Sequence, residues 1–267
     1  MAADALELRL LAACAVVREA GQIARDFFMR RDQLEVEHKG MQDLVSIADR
    51  QVEEVIRSHL TAAFPDDGIV GEEGETIEPP SRAGSWVIDP IDGTANFLRG
   101  VPYWSVALAY VVRGRTELAI TYDPVHDELF AARRGRGARR NGQPIRVTGR
   151  TDPGRSAIGI AYTFKASMEA YLRLMDDLLR AGLDHRRLGS SALMLCHTAD
   201  GRLDGVAMIY CHAWDVLGGL LLVEEAGGIA SDFLSDAGLT VPGPAFAGTP
   251  ALSPTLERLT GLKAGAR

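Results

Sequence analysis

Sulfur is scarce in this chain. Cys14, Cys196 and Cys211 are the only cysteines among 267 residues, an odd number with no Cys-x-x-Cys pair and no metal-ligand spacing. This excludes a disulfide framework and a thiolate zinc site, and leaves reduced thiols of the kind buried in cytosolic proteins. No apolar run approaches the ~20 residues that span a bilayer. Near its start the chain carries Asp4 and Glu7 where a secretory signal would have a basic segment before an apolar one. A cytoplasmic protein without membrane association is expected. Basic excess is missing as well: the formal net charge is −7, which argues against a general nucleic-acid binder. Arg133, Arg134, Arg136, Arg139 and Arg140 cluster, but without interleaved aromatics they read as solvated charge on a hairpin. The histidines form no His-x-x-x-His pair, and neither an internal repeat nor a low-complexity tract is present.

What the chain does have is apolar content, 46% of residues, enough for one compact unit or two intimately packed subdomains. Residues 4–30 show helical spacing of Leu6, Leu10, Val17, Ile23 and Phe27, and residues 34–37 alternate like a short strand. A second helix is expected from Ser46, where Ser46 and Asp49 resemble a capping box and Val52, Val55, Ile56 and Leu60 form the apolar stripe. Strands follow at residues 69–70, 105–113, 116–123, 128–133 and 145–147, giving a largely antiparallel sheet. Beyond about residue 150 the pattern alternates: strands at 157–161 and 205–209, helices at 167–180, 190–199 and 216–226. An α+β half over residues 1–150 and an α/β half over 151–267, stacked in layers, are expected to form one functional unit.

The most informative stretch is Trp86-Val87-Ile88-Asp89-Pro90-Ile91-Asp92-Gly93-Thr94. It is an apolar strand ending in two carboxylates, a proline, a glycine and a hydroxyl. Such an ending delivers oxygen ligands to one point, which suits a hard cation such as Mg²⁺. Gly93 and Thr94 would then turn backbone N–H groups toward an anion such as phosphate. The plain alternative is a β-turn after a strand. An EF-hand frame is absent, and the aspartyl-nucleophile pattern Asp-x-Asp-Gly-Thr is excluded because Pro90 stands two before Asp92.

Two further acidic segments stand apart from this one. Glu72 and Glu73 sit in Gly71-Glu72-Glu73-Gly74, and Asp215 sits in Ala213-Trp214-Asp215-Val216. Taken singly, the first reads as a solvated loop and the second as an N-cap. Asp215, however, opens a helix apolar enough to be deeply buried, and a carboxylate there needs a cation or donors beside it.

Together, Gly71-Glu72-Glu73, Trp86 to Phe97, and Trp214-Asp215-Val216 with Glu225-Ala226-Gly227-Gly228 resemble the inositol monophosphatase family. Asp43-Leu44-Val45-Ser46 with Asp49, and the 135–144 hairpin with its Asn-Gly turn, fit the same family, so the resemblance runs along nearly the whole chain. It implies a layered αβαβα sandwich of the sugar-phosphatase type, Mg²⁺-dependent hydrolysis of a small phosphorylated alcohol, and a homodimer. Carried over by position, it makes Glu72, Asp89 and the Ile91 carbonyl ligands of one Mg²⁺, and Asp89, Asp92 and Asp215 ligands of a second. Glu73 would hold a looser third ion. Mn²⁺ is a conceivable substitute, since all the ligands are oxygen. Thr94 with Glu72 would orient the attacking water, Gly93 and Thr94 would face the phosphate, and Gly189, Ser190 and Ser191 would contact the alcohol portion. Without cations the crowded carboxylates would repel, so a mobile loop over residues 72–75 is expected in the metal-free protein. Lys39 is placed to approach the third ion or simply to be solvated, and His212 either lines the pocket or packs.

The chain departs from the family at one position. A substrate-binding glutamate usually stands seven residues before the second-motif aspartate, and here that residue is Met208. Methionine cannot accept a strong hydrogen bond from a polyol. Inositol phosphate is therefore in competition with histidinol phosphate and 3′-phosphonucleotides as substrate. A metal-binding regulatory protein without turnover is the alternative of another class.

Overall fold

The computed structural model describes residues 2–33, 36–40, 43–79 and 83–265; the side chains of residues 2–4 and 33–45, Lys39 among them, lie outside the description. The first apolar stripe forms α1 (Ala2–Met29), which buries Ala13, Val17, Ala20 and Ala24. A short antiparallel pair, β1 (Val36–Gly40) and β2 (Asp43–Ser46), leads into α2 (Ile47–Ala63). The capping box expected there is present: the Ser46 N–H donates to Asp49 at 2.9 Å, and the Ser46 hydroxyl accepts from Ala48 at 3.2 Å.

Strands β3 (Gly68–Gly71) and β4 (Ser85–Asp92) are parallel neighbours. The short helix α3 (Thr94–Arg99) follows, then β5 (Ser105–Val112), β6 (Arg115–Asp123), β7 (Glu128–Arg133), β8 (Ala138–Arg140) and β9 (Gln143–Pro144). Strands β3 to β9 lie in sequence order in one seven-stranded sheet that is antiparallel from β4 onward. Asn141 (φ 47°) and Gly142 (φ 78°) turn the β8–β9 hairpin, both in the positive-φ region that two-residue hairpin turns demand. The strand expected at residues 145–147 is not there. The Val147 N–H donates to the Ala226 carbonyl at 3.1 Å, so the chain leaves the ladder for the neighbouring helix layer.

The second half supplies β10 (Ala157–Ala161), α4 (Met168–Arg180), β11 (Asp184–Arg186), α5 (Ser191–Ala199), β12 (Gly205–Cys211) and α6 (Ala213–Glu225). It ends with β13 (Ile229–Ala230), α7 (Phe233–Ala237), β14 (Gly243–Gly248) and α8 (Ser253–Thr260). The second sheet has the order β11-β10-β12-β14-β13, parallel among its first three strands and antiparallel at β14. Helices α1 and α2 cover the outer face of the large sheet, α5 and α6 lie between the sheets, and α4 and α8 cover the outer face of the small one. The result is the αβαβα sandwich. Three apolar cores separate these layers, and the middle one joins β4–β6 to α5, α6, β12 and β14.

The central position of α5 and α6 explains their composition. A helix buried on both sides needs apolar residues all round, whereas α4, covered on one side, is amphipathic and leaves Met168, Leu172 and Leu179 exposed. Gly218 and Gly219 let α6 touch both neighbours. A Cβ on Gly218 would stand 3.1 Å from the Leu108 carbonyl of β5, and one on Gly219 only 2.4 Å from Leu195 of α5. Overpacking of this kind typically costs about 1–3 kcal/mol. Gly219→Val is therefore expected to lower stability by at least that amount in chemical denaturation; an unchanged midpoint would show that the middle layer can expand.

Candidate metal centre

Residues three apart on a regular strand point to opposite faces, so Asp89 and Asp92 need a reason to meet. The β4–β5 register provides it: Asp89 pairs with Ala107 and Asp92 with Ser105, three steps against two. This one-residue bulge rotates β4 so that both carboxylates reach the same side. Pro90 falls within it, where a missing N–H removes no ladder bond. The helix α6 brings in Asp215 at its third position, three residues deeper than a helix beginning at Val216 would give. There Asp215 closes the first turn, accepting the His212 N–H at 2.6 Å.

Carboxylate oxygens of Asp89, Asp92 and Asp215 all lie within 4.8 Å of one another. Asp92 is anchored on the start of α5, where it accepts from the Ser190 hydroxyl, from the Ser191 N–H at 3.0 Å and from the Ala192 N–H at 2.7 Å. Gly93 (φ 102°) permits this closure, because a Cβ there would meet the Gly189 carbonyl at 3.1 Å and Ser190 at 3.3 Å. Asp89 is 1% exposed, and its Oδ1 is buried without a hydrogen-bond partner. An orphaned carboxylate oxygen facing two further carboxylates fits a divalent cation and little else.

The electrostatics have the same cause. Burial lifts Asp89 well above the carboxylate range, and Glu72, Asp92 and Asp215 push it further. Burial raises Asp92 to about 6 although the Ser190 hydroxyl and the α5 N–H groups pull it down. Asp215 is raised to about 7 by burial and by Asp92, against the pull of Lys165.

The other residues expected at the site fall around this trio. Glu72 follows β3, donates its N–H to the Ile88 carbonyl at 3.2 Å, and is the foremost charged neighbour of Asp89. It lines a cavity of about 210 Å³ together with Asp215, Gly189 and Ser191. Glu73 lies on the same loop, outside the close trio. That loop, expected to be mobile without cations, has its backbone bound at Glu73, Gly74 and Glu75 by Glu53 and Arg57 of α2. The Ile91 carbonyl accepts from the Thr94 hydroxyl at 3.1 Å. Ser190, expected to touch substrate, is 1% exposed with its hydroxyl engaged by Asp92. Met208 is also 1% exposed and belongs to the middle core, so the cavity wall near β12 is formed by Tyr210, His212 and Trp214. His212 both lines the cavity and packs, stacked on Trp214 at 4.5 Å.

Sequence reasoning missed Asp49 as part of the site. Its Oδ1 lies 3.1 Å from the Thr94 hydroxyl, while its Oδ2 completes the α2 cap. The capping box was visible in sequence, but nothing in it signalled that the same carboxylate reaches Thr94 at the start of α3. Lys165 and Arg187 on the cavity wall were missed too, because loop cations carry no spacing signal.

The model of the inositol monophosphatase family matches residues 6–256. The chain belongs to this family. Among its relatives, the Nus factor SuhB of Pasteurella multocida is 39% identical over 218 residues, covering 81% of this chain and 82% of the relative. The Escherichia coli K12 Nus factor SuhB is 38% identical over 235 residues, 87% of this chain and 88% of the relative. Among solved structures, the extragenic suppressor protein suhB from Bartonella henselae superposes with a TM-score of 0.88 at 30% identity, covering 95% of this chain and 98% of that one. The inositol monophosphatase from Anabaena (Nostoc) gives a TM-score of 0.79 at 27% identity, covering 95% of each chain. The inositol monophosphatase family provides the phosphatase fold, and the acidic trio provides a place for a metal.

A pH dependence follows from the raised carboxylates. An aspartate raised in the folded state binds protons that the unfolded chain has already lost, so its ionisation removes stability as pH rises from about 4 toward 7. In EDTA the melting temperature is expected to fall from pH 5 to pH 8, and Mg²⁺ to cancel that fall. A melting temperature independent of pH in EDTA would contradict the clustering.

Proposed function

We propose that this chain is a Mg²⁺-dependent phosphomonoesterase acting on a small phosphorylated alcohol, with inositol 1-phosphate the leading substrate. The observation that supports it most is the orphaned Asp89 Oδ1 within a trio of carboxylates, two of them buried, with the Thr94 hydroxyl held by a fourth carboxylate, Asp49. In this reading Glu72, Asp89 and the Ile91 carbonyl would hold one Mg²⁺, Asp89, Asp92 and Asp215 would hold another, and Glu73 would approach a looser third. Mn²⁺ would fit the same oxygen set. Bound ions would lower the pKa of water and stabilise the departing alkoxide of an in-line displacement.

The chain's own groups do the positioning. The single Thr94 proton is engaged by the Asp49 carboxylate and the Ile91 carbonyl, so the oxygen's lone pairs remain to accept from a water and fix its direction of attack. Asp92, locked by three donors from the start of α5, resists the movement that its repulsion from Asp89 and Asp215 would cause. The N–H groups of Gly93 and Thr94 would face the phosphate. The alcohol portion would leave toward Gly189, Ser191, Tyr210 and His212. Both halves of the chain supply ligands, so they act as one functional unit. A homodimer without membrane association is part of the proposal; no described helix is long and apolar enough to cross a membrane.

Histidinol phosphate and 3′-phosphonucleotides remain the competing substrates. Two cations, Lys165 and Arg187, line the cavity, which disfavours a cationic leaving group such as histidinol. A second reading follows from relatives named Nus factors: a chain that keeps the metal centre and acts by binding a partner rather than by turnover. Phosphate release from p-nitrophenyl phosphate should require Mg²⁺, and Asp92→Asn should reduce it more than about 100-fold, beyond the 10–100-fold typical of outer-shell changes. Thr94→Ala should lower kcat by about 10²–10⁴-fold with KM little changed. Activity surviving Asp92→Asn unchanged would reject the two-metal assignment. An Asp92→Asn chain that still restores the phenotype of cells lacking it would favour the partner-binding one.

A further inference from the structure

A single stripe of α2 serves the site twice. Asp49, Glu53 and Arg57 recur every four residues and so stand above one another on one helix face. Asp49 reaches Thr94. Glu53, one turn further along, is 2% exposed, a depth at which a lone carboxylate would be strongly disfavoured. Three donors satisfy it: the Glu73 N–H at 2.9 Å, the Gly74 N–H at 2.8 Å and Arg57 Nε at 2.6 Å. Arg57 in turn donates to the Glu75 carbonyl at 2.9 Å. The pair therefore grips three consecutive residues of the loop that carries Glu72.

The glycines of that loop record the same contact from the other side. A Cβ on Gly71 would stand 2.3 Å from Glu53 Oε1, and one on Gly74 would stand 2.8 Å from Glu53 Oε1 and from the Arg57 guanidinium. No side chain fits between loop and helix at either place. The motif Gly71-Glu72-Glu73-Gly74 is thus two acidic residues between two points of contact with a buried ion pair.

We propose that Glu53 is a positioning residue for the ion centre, holding the Glu72–Glu73 loop on α2 so that Glu72 already faces Asp89 before a cation arrives. The inference rests on the metal reading of the site. Its physical basis is preorganisation. Glu72 and Asp89 repel one another in the absence of a cation, and an untethered loop would swing Glu72 away. Binding would then have to reorder the loop against its conformational entropy. With the clamp in place, that ordering is already done by α2.

The test reads the loop and the ion separately, using the full chain. Hydrogen exchange in EDTA should show the Glu73 and Gly74 amides protected in the wild type and exchanging at least about tenfold faster in Glu53→Ala, with β4 and α6 unchanged. Calorimetric titration with Mg²⁺ should give a Kd raised about 10–100-fold, the range expected for partners behind metal ligands. Glu53→Gln, which keeps one acceptor oxygen, should fall between the two. Should Glu53→Ala fail to fold, Gly74→Ala attacks the same contact from the loop side and should weaken Mg²⁺ binding in the same direction. Faster exchange with a Kd within twofold of the wild type would overturn the inference and leave Glu53 a purely structural anchor. Unchanged protection in Glu53→Ala would overturn it too. A wild type that binds no Mg²⁺ would instead sink the metal reading itself, with the exchange result still reporting whether Glu53 grips the loop.

Discussion

Mutual repulsion among buried carboxylates is the constraint around which this molecule is arranged. Asp89, Asp92 and Asp215 have oxygens within 4.8 Å of each other, Glu72 adds its charge to Asp89, and Asp89 and Asp92 are buried. No arrangement of apolar residues compensates for that; each acid needs donors, a proton or a cation. The fold supplies donors selectively. Asp92 is saturated by the N-terminus of α5, Asp215 receives the His212 N–H, and Asp49 is held by the cap of α2. Asp89 Oδ1 is left without one. The oxygen that the protein does not satisfy marks where a cation belongs.

The layers exist in the form that makes this possible. The trio combines the end of β4 in the large sheet with the start of α6 between the sheets, and the start of α5 braces it. Bringing two helix starts to one strand end requires a middle layer packed closely on both sides. Gly218 and Gly219 allow that approach, and the apolar surface of α5 and α6 makes it favourable. On the other face α2 contributes polar side chains through its first three turns, Asp49 to Thr94 and the Glu53–Arg57 pair to the loop after β3. The same helix that covers the core through Val52, Ile56 and Leu60 therefore also sets the outer boundary of the ion centre.

Legibility in the sequence followed the length of the signal. Long stripes such as α1 and α2, and the continuous apolar run of α6, were readable because burial imposes a period or its absence over many residues. Asp89, Asp92 and Asp215 stood out because acids at the ends of apolar segments are costly and so carry information, and the structure brings the three together; Glu72 stood out only through the family resemblance. What escaped was short or relational. Strands β13 and β14 and helices α7 and α8 are brief, two to eight residues each, too short for a period to stand out. Asp49 looked like a capping residue and Glu53 like an ordinary polar position of an amphipathic helix; their further roles depend on which turn and which loop pack against that face. Met208 shows the limit of position matching. The residue was compared for its hydrogen-bonding ability, yet the structure buries it in the core and gives the cavity wall to Tyr210 and His212.

The most direct measurement is a crystal grown with Mn²⁺ and examined by anomalous scattering, which locates the ion independently of any activity. The account predicts density enclosed by Asp89, Asp92 and Asp215, with an ion roughly 2.0–2.2 Å from Asp89 Oδ1, in the range of cation–carboxylate contacts. A structure showing the three carboxylates turned toward separate partners, with no anomalous peak between them at saturating Mn²⁺, would contradict it.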